Sequence, residues 1–212
     1  NQKLFLMKKN KLILFFSLLS VSALFSQTTT SCDPALKYPG GRMALSFDGN
    51  VHDDDDIIAL PVSMGMIWAA GLNNKVAHVE YNNHICSHGA ENDGSTNFQG
   101  DDAINMQESA NGSIKRFGFD GTKFFDFSTK GTEATTNFIA AINASSATDP
   151  LWIIAAGPME TVWRALNGSQ STKRQYVTII SHSRWNQNHG DCGSNSHTWT
   201  DLVEDFTANG VK

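Results

Sequence analysis

Arg42 to Leu60 reads RMALSFDGNVHDDDDIIAL, and the fold follows from how this stretch is parsed. Met43 to Phe47 is a short apolar run of the kind that forms a buried strand. It stops at Asp48, and the nine residues from there to Asp56 hold Asp48, Asn50, His52, Asp53, Asp54, Asp55 and Asp56. Ile57, Ile58, Ala59 and Leu60 then open a helix. The acidic cluster therefore sits on the loop that leaves the C-terminal end of a strand, which is where open α/β sheets bind ligands. Carboxylates crowded on one loop repel one another unless a cation compensates them. Oxygen donors at this density suit calcium or magnesium rather than zinc. A solvated acidic turn, favoured by the helix dipole, is the plain alternative.

The rest of the chain repeats the strand–helix alternation. Lys75–Tyr81 (KVAHVEY) reads as a second strand ending in Asn82-Asn83-His84, and Ile85–Gly100 as a polar loop. A helix is expected from Asp101 to about Arg116, a strand over Lys123–Phe127, and a helix opened by Thr132 and Glu133. Leu151–Ala155 is the most apolar strand, stopped by Ala156-Gly157-Pro158, and Glu160–Asn167 is the helix after it. Tyr176–Ser181 is the next strand and runs into a polar loop, His182–His197. Trp199–Ala208 reads as a helix, and Val211-Lys212 as the opening of another strand, so a C-terminally truncated chain is expected. Helix one, reaching about Ala70, carries Pro61 either in its first turn or at a kink. The pattern predicts an α/β fold, an open, mainly parallel sheet with helices on both faces. Its polar strand ends, Asp48–Asp56, Asn82–His84, Gly157–Glu160 and His182–Asp191, then share one edge and one pocket.

The termini and composition bound the function. Residues 1–26 read as upstream residues plus a secretory signal peptide, with a basic start at Met7-Lys8-Lys9 and an apolar Leu12–Leu24. Residues 27–41 are a loose lead-in, and 42–212 the domain. A secreted or periplasmic protein with no membrane span is expected once the signal is removed. Losing the four lysines of residues 1–26 leaves 12 basic against 21 acidic residues, a net charge of −9. Nucleic acid is a poor partner for such a surface. Cys32, Cys86 and Cys192 show no metal-site spacing and leave one disulfide open, with no pair selected.

The strand running into DGNxHDxDDI, the Asn pair after strand two and the later AAGPMETVWRAL resemble the nucleoside hydrolase (inosine–uridine-preferring) family. That family carries DxDxGxDDAxA after its first strand and GPLTN on a later strand-to-helix turn. The likeness covers Arg42 to about Asp205. Asn50 stands at the family's second Asp, His52 at its Gly, Thr161 at its Asn, and the loop is one residue longer before Asp55-Asp56.

The resemblance implies a Rossmann-like fold and an exported, calcium-dependent hydrolase of N-glycosidic (ribosyl) or related glycosyl bonds. It implies calcium held by Asp48 or Asn50, by Asp55 or Asp56, and by a backbone carbonyl near Ala156. It places Asn83 near the sugar, and Asn186, Asn188 and Asp191 in the region that grips ribose hydroxyls. It also allows a homo-oligomer. A small-molecule nucleoside or sugar is the expected partner. Such a bond breaks through an oxocarbenium-like state, with a metal-oriented water and a carboxylate that takes its proton. Asp53 or Asp48 is the base on this reading, and His52 an acid or a donor to a metal-binding carboxylate. His84, Glu160, His182 and His189 are further substrate contacts, and Trp185 is a stacking platform. A non-catalytic, metal-dependent carbohydrate-binding protein on the same fold is the alternative, kept open by Asn50.

Overall fold

A computed structural model describes residues 37–49, 54–83, 101–190 and 196–212, with the side chains of 54–56 and 101–103 outside the description. The chain divides into two units, 1–39 and 40–212. The second is built on five strands: β1 (Arg42–Phe47), β2 (Val76–Tyr81), β3 (Phe124–Asp126), β4 (Leu151–Ala156) and β5 (Val177–Ser181). All pair in parallel, in the order β3-β2-β1-β4-β5. The helices are α1 (Asp54–Ala69), α2 (Asp101–Phe117), α3 (Phe127–Asn143), α4 (Glu160–Gly168), α5 (Ser171–Arg174), α6 (Arg184–Asn188) and α7 (Trp199–Phe206). This is an open α/β sheet of Rossmann-like order. The chain runs outward from β1 through β2 to β3, then crosses back to β4, so its direction reverses between β1 and β4. That switch point is where such sheets open a crevice at their C-terminal ends.

Burial on both faces explains the apolar strands. Ala44 of β1, Leu151, Ile153 and Ala155 of β4, and Val177 and Ile179 of β5 share one core. Phe138 and Ile142 of α3, Val162, Ala165 and Leu166 of α4, and Leu202 and Phe206 of α7 close over it. The alternate residues Met43, Leu45 and Phe47 are buried on the opposite side. There α1 and α2 pack on each other, with the Ser109 hydroxyl donating to the Ile57 carbonyl at 3.0 Å. Helix α7 is started by a capping box between Thr198 and Asp201.

Helix α1 opens at Asp54 rather than Ile57, so Asp54, Asp55 and Asp56 are helical rather than on the loop. Three further boundaries differ from expectation, each for a local reason. Strand β3 is shorter than Lys123–Phe127 because Gly121–Lys123 is a 3-10 turn capped by Asp120, whose Oδ1 accepts from Thr122 N at 3.0 Å. Helix α3 opens at Phe127 rather than Thr132. Asp126 is its N-cap, accepting from Ser128 N at 3.1 Å, and Lys130 (φ −128, ψ 34) kinks the helix just ahead of Thr132. The polar segment after β5 is not all loop, since Ser183 Oγ accepts from Asn186 N at 3.3 Å and starts α6. Pro61 lies inside α1 rather than in its first turn. Lys212 lies along β5, its N–H reaching Val177 O at 3.2 Å and its carbonyl accepting from Ile179 N at 2.8 Å. Among the described residues no helix is long and apolar enough to cross a membrane.

Candidate functional site

The parallel register brings the ends of β2, β1 and β4 side by side. Asp48 leaves β1 with only 4% exposure, and its Oδ1 accepts from the N–H of Gly49 at 3.2 Å. Asn82 and Asn83 leave β2 and are fully buried. Gly157 and Pro158 leave β4, and Ala156, half-buried, is its last residue.

The two glycines are dictated by the Asn pair. Gly49 has φ +75, and a Cβ there would stand 2.6 Å from Asn82 Oδ1. A Cβ on Gly157 would stand 2.6 Å from Asn83 Oδ1 and 2.9 Å from the Asp48 backbone nitrogen. Only glycine admits so close an approach. Asn82 (φ 55) and Ser183 (φ 65) are the described non-glycine residues in the left-handed region, and both follow C-terminal strand ends. Backbone strain of this kind gathers at functional edges.

Beneath Asn83 lies a buried polar network centred on Glu80, a residue whose type and spacing alone do not mark it as part of a site. Glu80, fully buried on β2, accepts from Ser46 Oγ at 2.7 Å and from the Thr161 hydroxyl at Oε1. Its Oε2 lies 3.3 Å from His78 Nε2, and His78 Nδ1 lies 2.9 Å from Asn137 Oδ1. The His78 ring is stacked on Phe138 at 4.3 Å, which gives it a structural place. Burial pushes the Glu80 carboxyl up, but hydrogen bonding and charge from His78, then the hydroxyls of Thr161 and Ser46, outweigh it and hold it below 4.5. Asn83 Nδ2 donates to Ser46 Oγ at 2.6 Å, with Thr161 Oγ1 at 3.3 Å and Glu80 Oε1 at 3.4 Å. Its Oδ1 is buried and has no hydrogen-bond partner. The signal for Glu80 was the alternation His78-x-Glu80 on a strand buried on both faces.

The other expected site residues are engaged with the protein itself. Glu160 accepts from Arg164 Nε at 2.7 Å, and from the backbone N–H of His197 at 2.8 Å, with His197 Nδ1 also at 2.8 Å. It thereby ties the start of α4 to the segment before α7. Trp185 is stacked on His189 at 3.8 Å, and His189 Nδ1 lies 2.6 Å from the Trp185 carbonyl. Asn186 is buried and donates to the His182 carbonyl at 2.9 Å, while His182 and Asn188 are exposed. The His189 carbonyl accepts from Met159 N at 3.0 Å, which joins α6 to the β4–α4 turn. Asp55 and Asp56 fall in the first turn of α1, directly beyond β1. Asn50, His52, Asp53, His84 and Asp191 lie outside the described residues, as do the three cysteines and the expected signal peptide. Among the described residues no group of three or more His, Cys, Asp and Glu is placed to hold a metal ion.

The chain is 33% identical over 175 residues to the "Uncharacterized protein P22" of Formosa agariphila, an alignment that takes in 82% of this chain and 62% of that protein's length. No protein-family model matches the chain, and no solved structure does.

Proposed function

We propose that the C-terminal edge of β2, β1 and β4 is the site of an exported, calcium-dependent hydrolase acting on N-glycosidic or related glycosyl bonds. The carrying observation is that Asp48, Asn83 and Gly157 meet at the switch point, with Asn83 presenting a buried oxygen that lacks a donor. The metal donors here, Asp48 and the Ala156 carbonyl, are both oxygen, and the acidic run Asp53–Asp56 follows in sequence. That donor chemistry fits calcium rather than zinc or copper.

Asp48, Asn50, Asp55, Asp56 and the Ala156 carbonyl would hold the ion. Calcium, when bound, supplies a Lewis acid that makes water more acidic and grips vicinal hydroxyls. Asp48, buried and already hydrogen-bonded to Gly49, suits holding a cation. The base then falls to Asp53, which accepts the proton of the attacking water. Carboxylates lining the crevice oppose the positive charge that develops on the sugar. His52 or His182 would protonate the leaving group.

Reducing-sugar release from nucleosides and small glycosides tests the proposal, with and without EDTA, beside an Asp55→Ala variant. Release that EDTA and the substitution each abolish is the expected result. No release from any substrate, with calcium still tightly bound, overturns the hydrolase and leaves a carbohydrate-binding protein.

A further inference from the structure

We infer that Glu80 is a positioning residue: its buried carboxylate fixes the direction of the hydrogen bonds that reach Asn83, so that Asn83 Oδ1 is left at the switch point as an unpaired acceptor for a substrate hydroxyl. The inference rests on the hydrolase reading for the identity of the ligand, and on the network alone for the orientation.

An ionised carboxylate only accepts. Ser46 and Thr161 each own one hydroxyl proton, and both lie within hydrogen-bonding reach of Glu80 Oε1. With those protons committed to the buried charge, both hydroxyls turn lone pairs toward Asn83. Ser46 Oγ at 2.6 Å and Thr161 Oγ1 at 3.3 Å then demand a donor, and only the NH2 end of Asn83 supplies one. Which end of a carboxamide faces which way is decided by such a network. The opposite end, Oδ1, is left buried and without a donor, the carboxamide packing against Gly157. A buried acceptor left unmade costs free energy that binding a donor recovers. Gly157 leaves that oxygen unobstructed by a side chain, since a Cβ there would stand 2.6 Å from it. A sugar hydroxyl is the donor that this oxygen fits.

Glu80→Gln tests this, because glutamine keeps the shape while removing the charge that holds both hydroxyl protons. The swapped pair Glu80→Gln with Asn83→Asp restores polarity in the other direction. The introduced amide donates to the two hydroxyls, which donate in turn to the introduced carboxylate, and the second oxygen of that carboxylate takes the place of Asn83 Oδ1. Three readouts apply to calcium-loaded protein: backbone amide spectra for the fold, the Asn83 side-chain NH2 resonance with its hydrogen exchange, and steady-state kinetics. In Glu80→Gln the fold spectrum is expected to persist, Asn83 NH2 protection to fall roughly tenfold, and KM to rise roughly tenfold with a smaller change in kcat. The swapped pair is expected to recover most of the KM. An Asn83 resonance and KM unchanged in Glu80→Gln, or a swapped pair no better than Glu80→Gln, overturns the inference. If the wild type releases no sugar, the hydrolase reading fails separately, and D-ribose decides this one. Ribose that shifts the Asn83 NH2 resonance in the wild type but not in Glu80→Gln supports it, and ribose that shifts neither overturns it.

Discussion

The two ends of the sheet use polar residues in opposite ways. At the N-terminal end, Arg42 Nε donates to Asp149 Oδ2 at 2.6 Å and Nη2 to Ser145 Oγ at 3.2 Å. Lys173 donates to the Ser145 carbonyl at 3.1 Å, and Arg42 N to the Pro150 carbonyl at 2.7 Å. These groups answer one another across loops that start strands. At the C-terminal end the chain holds the described non-glycine residues of positive φ, Asn82 and Ser183, and a buried Asn83 oxygen with no donor. A fold keeps such costs where something outside the chain repays them. The first end closes the structure, and the second is where the ligand site is proposed.

The contrast predicts unequal effects of substitution. Glu80→Ala is the largest: it strips the acceptor from Ser46 and Thr161 and the hydrogen-bond partner from His78, and about 1–3 kcal/mol of unfolding free energy should go for each buried group left unpaired. Its pH dependence has a definite sign. Because the folded Glu80 carboxyl lies below 4.5, its contribution is present above that pH and fades as pH falls through the folded value. Urea unfolding from pH 6 down to pH 3 should show a steeper acid loss in the wild type than in Glu80→Gln. Gly157→Ala comes next. The added methyl presses on Asn83 and on the Asp48 backbone, and about 1–3 kcal/mol should be lost together with ligand binding. Asp149→Ala is the smallest. Its ion pair with Arg42 is partly exposed, so denaturation should show a loss under about 1 kcal/mol with sugar release intact. An Asp149 variant that lost activity as fully as the Gly157 variant would erase the distinction between the ends.

Much of this organisation was legible in the sequence, because apolar runs of five or six residues followed by polar stops are what a doubly covered parallel strand requires. All five strands fall within a residue of their expected limits at either end. The site's meeting point followed from parallel order alone: Asp48, Asn83 and Gly157 each follow the end of a strand. Local capping was harder to read. KFFDF looks like one strand until Asp126 turns its carboxylate to Ser128 and makes Phe127 the first helical residue. The short helices α5 and α6 carry too few residues for a period. Glu80 was missed because an alternating His and Glu suggests a wet face. Here that face is buried, and its polarity is satisfied by Ser46, Thr161 and Asn137, residues distant in sequence. Glu160 and Asn186 look like ligand contacts by type, yet their partners are His197, Arg164 and the His182 carbonyl.

The most direct test pairs one carboxylate from each end of the sheet. Metal-dependent sugar release is measured for the wild type, Asp48→Ala and Asp149→Ala, each with calcium and with EDTA. The predicted result is calcium-dependent release by the wild type and Asp149→Ala, and none by Asp48→Ala. Release that survives in Asp48→Ala, or that ignores EDTA in the wild type, would contradict a metal-dependent site at the C-terminal edge.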